Sequence, residues 1–234
     1  TNLAGKFCVL QLHGPEAPQW LGSAATALGP LGSFDMPLMG AMVTVFRDDS
    51  TGAPGYGLIV PTENVEYVWK ELMALGQKGV PSGSQRLRLR PAGWAAFNAT
   101  RIEAGRPIFG IDYDSTVLPA ETGQFDRAVS ITKGCYLGQE IVARMHARQQ
   151  LARQIVGIRM TGDALPIAGA HITDDTGAIV GLVTSSTVSP VLSNAALCLA
   201  MVKKPFIAIG TKLRIPAEGD IREGIVSELP FWRG

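Results

Sequence analysis

Cysteine and histidine are scarce in this chain. Cys8, Cys135 and Cys198 are odd in number and widely spaced. That excludes a disulfide framework and a paired zinc motif, and it points to a reducing compartment. His13, His146 and His171 show neither HxxxH nor HxH spacing, so no metal site is expected from them. The glycines form no dinucleotide or P-loop fingerprint. No apolar run is long enough to span a bilayer, and no basic-then-apolar leader follows Thr1. Charged residues make up only 18% and the net charge is +1, so no global field draws the protein to nucleic acid or membrane. What is abundant is apolar side chain, at 46% of 234 residues. This excludes a disordered chain and suffices for one large or two smaller domains.

The first half reads as alternating strands and helices. Phe7 to Leu12 suits a strand, and Pro15 to Leu28 a helix with proline in its first turn. Met42 to Phe46 and Tyr56 to Val60 are β-rich, with a hairpin-like turn at Asp48-Asp49-Ser50-Thr51-Gly52. Asn64 to Leu75 reads as a helix ended by Gly76, and Pro91 to Ala104 as another stopped by Gly105. The order βαββα, with a further strand, is that of a ferredoxin-like α+β layer. From about Gln154 the pattern changes to short β runs: Ile155 to Met160, His171 to Thr173, Ile179 to Ser185, Leu197 to Val202, Lys212 to Ile215 and Gly224 to Leu229. Asp174-Asp175-Thr176-Gly177 is the clearest hairpin turn between them. Such strands without helices predict a small barrel or sandwich. The predicted division is therefore an α+β domain over 1–153 and an all-β domain over 154–234.

One stretch carries chemistry: Lys133-Gly134-Cys135-Tyr136-Leu137-Gly138-Gln139-Glu140. Ile141, Val142 and Met145 then recur at helical spacing. Cys135 is thus expected just ahead of a helix start, where partial positive charge, with Lys133 adding to it, favours a thiolate. The alternative is a small buried cysteine filling a turn.

The octapeptide resembles the signature of the YgfZ-type folate-binding proteins, relatives of the glycine-cleavage T-protein (aminomethyltransferase). Other landmarks follow the family's order. They are Leu12-His13-Gly14-Pro15, Thr51-Gly52-Ala53-Pro54-Gly55-Tyr56 and Arg101-Ile102-Glu103-Ala104-Gly105. After them come Phe109-Gly110-Ile111-Asp112, Leu118-Pro119-Ala120-Glu121, Val183-Thr184-Ser185-Ser186 with Ser189-Pro190, Gly210-Thr211 and Leu229-Pro230-Phe231. The resemblance implies the T-protein fold with a C-terminal β-barrel. It also implies binding of tetrahydrofolate and a role in iron–sulfur protein assembly or repair. Thr1 matches a point well inside the family pattern. The family's N-terminal segment carries an aspartate near the reactive nitrogen of folate, and it has no counterpart here.

Site roles carry over on the matching positions. Glu103 is expected to bind the pterin, whose N–H and amino group match a carboxylate's two acceptors. Its place at a helix end is slightly wrong for the helix dipole, which also suggests a use other than a surface pair with Arg101 or Arg106. Glu121 either walls the same cavity or caps the segment after it. Lys133, Tyr136, Gln139 and Arg153 are carried over as further folate contacts, and Cys135 as the functional thiol. Asp112 and Asp114 flank Tyr113, where Asx-type backbone bonding is the plainer reading. The basic excess over 133–159 (Lys133, Arg144, Arg148, Arg153 and Arg159 against Glu140) suits a folate's carboxylate tail. It equally suits a solvated helix face, and nucleic acid ranks last for want of interleaved aromatics. Trp232 is read as a cover for the barrel's edge.

Two function classes remain. One is an accessory protein for iron–sulfur enzymes, with those proteins or their assembly factors as partners, in the cytoplasm or the mitochondrial matrix of a eukaryote. The other is an aminomethyltransferase moving a one-carbon unit to tetrahydrofolate. The octapeptide favours the first. Ala53, Pro54 and Gly57 do too, standing where the T-protein tends to have acidic residues. A remnant that keeps the fold without a ligand is a third reading. A single cysteine cannot hold an iron–sulfur cluster alone.

Overall fold

The computed structural model describes residues 2–148 and 151–232. Met145 to Arg148 are described in backbone only, so His146 and Arg148 of the sequence reading lie outside the described side chains. By spatial packing the chain forms two compact units, Thr1–Phe97 and Asn98–Gly234. The barrel's first strand starts at Arg153, whereas the packing units divide between Phe97 and Asn98. The stretch from Asn98 onward thus packs with the barrel.

The first unit is built on a four-stranded sheet. Its strands are β1 (Phe7–His13), β2 (Ser33–Leu38), β3 (Ala41–Arg47) and β4 (Gly55–Pro61). Their spatial order is β1-β4-β3-β2, and every pairing is antiparallel. β2, β3 and β4 form a meander, and β1 returns along β4. The further strand expected from sequence is β2. Alternation sets the faces: Leu12, Val43, Val45, Leu58 and Val60 point into the core.

Between β1 and β2 the single helix expected over Pro15–Leu28 is two short ones, α1 (Ala17–Leu21) and α2 (Ser23–Ala27). They break at Gly22, whose φ of +86° no helix can accommodate. The long helix α3 (Thr62–Lys78) lays Val68 and Leu72 into the same core. A small hairpin, β5 (Val80–Ser82) with β6 (Gln85–Leu87), follows. The turn at Asp48–Gly52 is the β3–β4 connection. The Asp49 carboxylate accepts from Gly55 N at 3.0 Å and pairs with Arg47 at 3.1 Å.

The second unit begins in α4 (Trp94–Glu103). A Schellman ending stops this helix: Arg106 N donates to Arg101 O at 2.8 Å and Gly105 N to Ile102 O at 2.9 Å, with Gly105 at φ +65°. Then come a 3₁₀ turn at Pro119–Thr122, α5 (Phe125–Ala128) and α6 (Gln139–Arg148).

The remaining strands are β7 (Arg153–Met160), β8 (His171–Thr173), β9 (Ile179–Ser189), β10 (Ala195–Lys203), β11 (Lys212–Ala217) and β12 (Asp220–Ser227). They close a six-stranded barrel in the order β10-β7-β12-β11-β8-β9. The Asp174 turn joins β8 to β9, its carboxylate accepting from the Thr176 and Ala178 amides.

β10 is apolar on both faces because both are covered. Ala196, Cys198, Ala200 and Val202 fill the barrel, while Leu197, Leu199 and Met201 pack outward with Ile102 and Ile155. That outer cluster fixes the end of α4 to the barrel wall. Leu229 and Phe231 complete it. They lie so close to Gly157 that a Cβ there would meet their side chains at 2.6 and 2.7 Å. Trp232, expected as the edge cover, is half exposed; Leu229 and Phe231 do the covering.

Candidate functional site

The site grows from the last turn of α4. Arg101, Ile102 and Glu103 are all buried there. The guanidinium of Arg101, wholly inaccessible, lies 2.7 Å from Asp112 and also donates to Asn98 Oδ1 at 3.0 Å and Arg106 O at 3.2 Å. Burial pulls its pKa below the ordinary arginine value, and the Asp112 charge works the other way.

Asp112 is a buried acceptor. Its Oδ2 takes Arg101 and the Ile108 amide; its Oδ1 takes Thr184 Oγ1 at 2.7 Å and Ser185 Oγ at 2.6 Å. Neighbours along a strand normally face opposite ways. Here the register of β9 on β10 shifts between Leu199 and Ala200, and Thr184 is the extra residue. That bulge lets Thr184 and Ser185 serve one carboxylate.

Glu103 is held from both ends. Its carbonyl accepts from Phe231 N at 2.8 Å. Its carboxylate Oε1 accepts from Ser189 Oγ at 2.6 Å, while Ser189 Oγ itself accepts from Leu192 N at 3.2 Å. Only 7% of Glu103 is exposed and none of Ser189. The surface pair with Arg101 is not formed, because Arg101 is committed to Asp112. Among the described residues, Oε2 of Glu103 has no hydrogen-bond donor, so it remains open to a ligand's N–H.

A second group lies at the 3₁₀ turn. Glu121 is buried and caps its own turn, accepting from Leu118 N at 3.1 Å. It also accepts from Arg153 Nε at 3.4 Å. The cap is on the start of its own turn, not on the segment after it, and Arg153, at the first position of β7, is its partner. α6 packs against the same turn. Gln124 ties this turn to the end of α4, donating to Gly105 O at 3.2 Å and accepting from Arg106 at 3.4 Å.

The octapeptide runs into the start of α6, which holds its last two residues. Cys135 is exposed, not buried in a turn, and the helix starts four residues later, at Gln139. Lys133 Nζ sits 4.8 Å from the centre of the Tyr136 ring, a cation–π contact. Gln139 is partly buried, and its amide donates to Tyr136 O at 3.2 Å. Among the described residues no contact joins Cys135, Lys133, Tyr136 or Gln139 to Glu103. The structure thus brings Glu103 together with Ser189, and Glu121 with Arg153, and leaves Cys135 on the surface. Arg144 pairs with Glu140 at 3.0 Å on the open face of α6, as a solvated helix face would. Asp114 makes an Asx turn, its carboxyl held below the usual range first by the Thr116 hydroxyl. Asp112 does not; that expectation is corrected by its burial under Arg101.

Sequence reasoning missed Ser185 and Ser189 as site groups and saw Arg101 only as a surface partner. The available signal was four hydroxyls, Thr184 to Thr187, followed by Ser189 in an otherwise apolar strand. Buried hydroxyls need acceptors.

Comparisons with known proteins identify the family to which this fold belongs. The GCVT N-terminal domain model matches residues 1–133, and the glycine cleavage T-protein C-terminal barrel domain matches residues 153–232. The chain belongs to the glycine-cleavage T-protein superfamily. An aminomethyltransferase of Chlorobaculum parvum is 27% identical over 98% of this chain and 61% of its own length. One of Halothermothrix orenii is 29% identical over 98% of this chain and 62% of its own. The chain therefore spans about three fifths of these relatives. Among solved structures, the glycine cleavage system aminomethyltransferase T of Bartonella henselae superposes with a TM-score of 0.76. It is 22% identical, over 96% of this chain and 59% of that one. Among the described residues no helix is long and apolar enough to cross a membrane.

Proposed function

We propose that this protein binds tetrahydrofolate and serves iron–sulfur protein assembly or repair, in the manner of the YgfZ-type proteins. The observation that carries the folate part is Glu103: a buried carboxylate with one oxygen tied by Ser189 and the other without a donor among the described residues. A pterin presents N–H groups to such an acceptor. The residues present fit that ligand. Glu121 is engaged by Arg153 and its own turn, so in this reading it shapes the segment beside the site instead of touching folate.

The octapeptide supports the accessory role over transfer chemistry. Cys135 is exposed and free, where a thiol can meet a partner protein or an oxidant. Any cluster would be shared, since one thiolate supplies one ligand. Lys133, Tyr136 and Gln139 lie on that same segment and would act with it.

The second reading is a tetrahydrofolate-dependent aminomethyltransferase. It is favoured by relatives of that name matching nearly the whole chain. Titration of purified protein with tetrahydrofolate, repeated on Cys135→Ala, tests the proposal. Binding by both, with loss of iron–sulfur enzyme activity in cells that carry only the alanine variant, is expected. Formation of methylenetetrahydrofolate from an aminomethyl donor would support the transferase instead. No binding by the wild-type protein would leave the remnant reading.

A further inference from the structure

We infer that Ser189 is the positioning residue for Glu103, and that it sets the pterin selectivity of the site. This rests on the folate reading above. A serine hydroxyl has one proton. The oxygen of Ser189 accepts from the Leu192 amide at 3.2 Å, which orients it, and the proton goes to Glu103 Oε1 at 2.6 Å. Oε1 is thereby held toward β9. The carboxylate plane is fixed, with Oε2 and the second lone pair of Oε1 left to a ligand. Phe231 N on the Glu103 carbonyl holds the backbone of the same residue. Glu103 is thus fixed at main chain and side chain by two segments distant in sequence, Ser189 and Phe231.

The chemical consequence is directional. A carboxylate free to rotate would accept from many donor arrangements. One locked by Ser189 holds Oε2 and the second lone pair of Oε1 in one plane, and so favours a ligand whose two N–H donors lie side by side, as the amino group and ring N–H of a pterin do. Without the hydroxyl, Glu103 would lose preorganisation before it lost charge. The leading symptom would be loss of discrimination.

Two ligands measure this: tetrahydrofolate and its 2-desamino-2-methyl analogue, which keeps the ring N–H and lacks the amino group. Wild type is expected to prefer tetrahydrofolate. Ser189→Ala is expected to bind tetrahydrofolate about tenfold more weakly and the analogue nearly as wild type does, so that the preference collapses. Ser189→Cys, close in size but a weak donor, keeps the packing and covers the case in which the alanine variant does not fold. It is expected to lose the same preference, whereas Ser189→Thr, which keeps the hydroxyl, restores it. An unchanged preference in a folded Ser189→Ala or Ser189→Cys protein would overturn the inference while leaving the folate reading intact. Failure of wild type to bind either ligand would overturn both.

Discussion

Arg101 and Asp112 form an ion pair of 2.7 Å with both side chains wholly buried. The pair locks the end of α4 to the loop after it, and through Thr184 and Ser185 to β9. Charges out of water are costly unless fully bonded. Asp112 is, with four donors. Arg101 Nη2 has no partner among the described residues. Removing one member leaves the other charge uncompensated. Asp112→Ala is expected to destabilise the protein by about 3–5 kcal/mol, read as a fall in the urea midpoint. The double variant Arg101→Met with Asp112→Leu should recover part of that loss. A single variant as stable as wild type would show that the pair does not hold the helix end.

The three thiols should separate by accessibility. Burial pushes Cys198 up to about 12, so it should resist alkylation in the native state and label only after unfolding. Cys135 is exposed and should label first. Cys8, near the start of β1, is partly buried and lies 3.9 Å from Thr62 Oγ1. It should label at an intermediate rate. The Cys198 shift also gives a pH dependence. An unfolded thiol ionises near pH 9 and the folded one does not, so stability should fall as pH rises from about 9 toward 12. Cys198→Ala should remove that slope. Mass-spectrometric mapping and alkaline melting curves check both; native labelling of Cys198 at the rate of Cys135 would contradict the barrel packing.

His13 should make the first unit acid-sensitive. Burial lowers its pKa, against the charges of Asp48 and Asp49, which raise it. The folded form therefore holds the ring neutral below the pH at which the unfolded chain takes up a proton. Its contribution is present above about pH 6.5 and is lost as pH falls toward the folded value. His13→Gln should flatten the melting temperature between pH 6.5 and 5. An equal slope in both proteins would place the acid sensitivity elsewhere.

Much of this was legible in sequence, and the gaps have physical causes. The barrel was readable because short β-rich runs and the Asp174 turn are local signals. The extra strand β2 was weaker: Ser33–Leu38 contains Pro37 and Asp35 and lies at the sheet's edge, where proline is tolerated. The break at Gly22 was missed because helical spacing continued across it. Glu103 stood out through its motif, but Ser189 is 86 residues away. No local pattern announces a partner at that distance. The bulge at Thr184 was invisible for the same reason, being a property of the β9–β10 register.

Gly105 tests the helix ending. It sits at φ +65°, and a Cβ there would meet Leu229 side-chain atoms at 2.9–3.0 Å. Gly105→Ala should cost at least about 1 kcal/mol through backbone strain, with the crowding of Leu229 adding to it. Since Phe231 docks on Glu103 next to this point, folate binding should weaken together with stability. Unchanged stability by thermal melting would refute the tight ending.

The most direct measurement is the affinity of tetrahydrofolate for wild type and for Glu103→Gln, in protein shown to be folded by circular dichroism. An amide in place of the carboxylate can still accept from Ser189 but turns a donor toward the pterin donors. The expected result is binding by wild type and a loss of roughly tenfold to a hundredfold in the variant. Equal affinity in the two proteins would contradict the assignment of Glu103 as the pterin ligand.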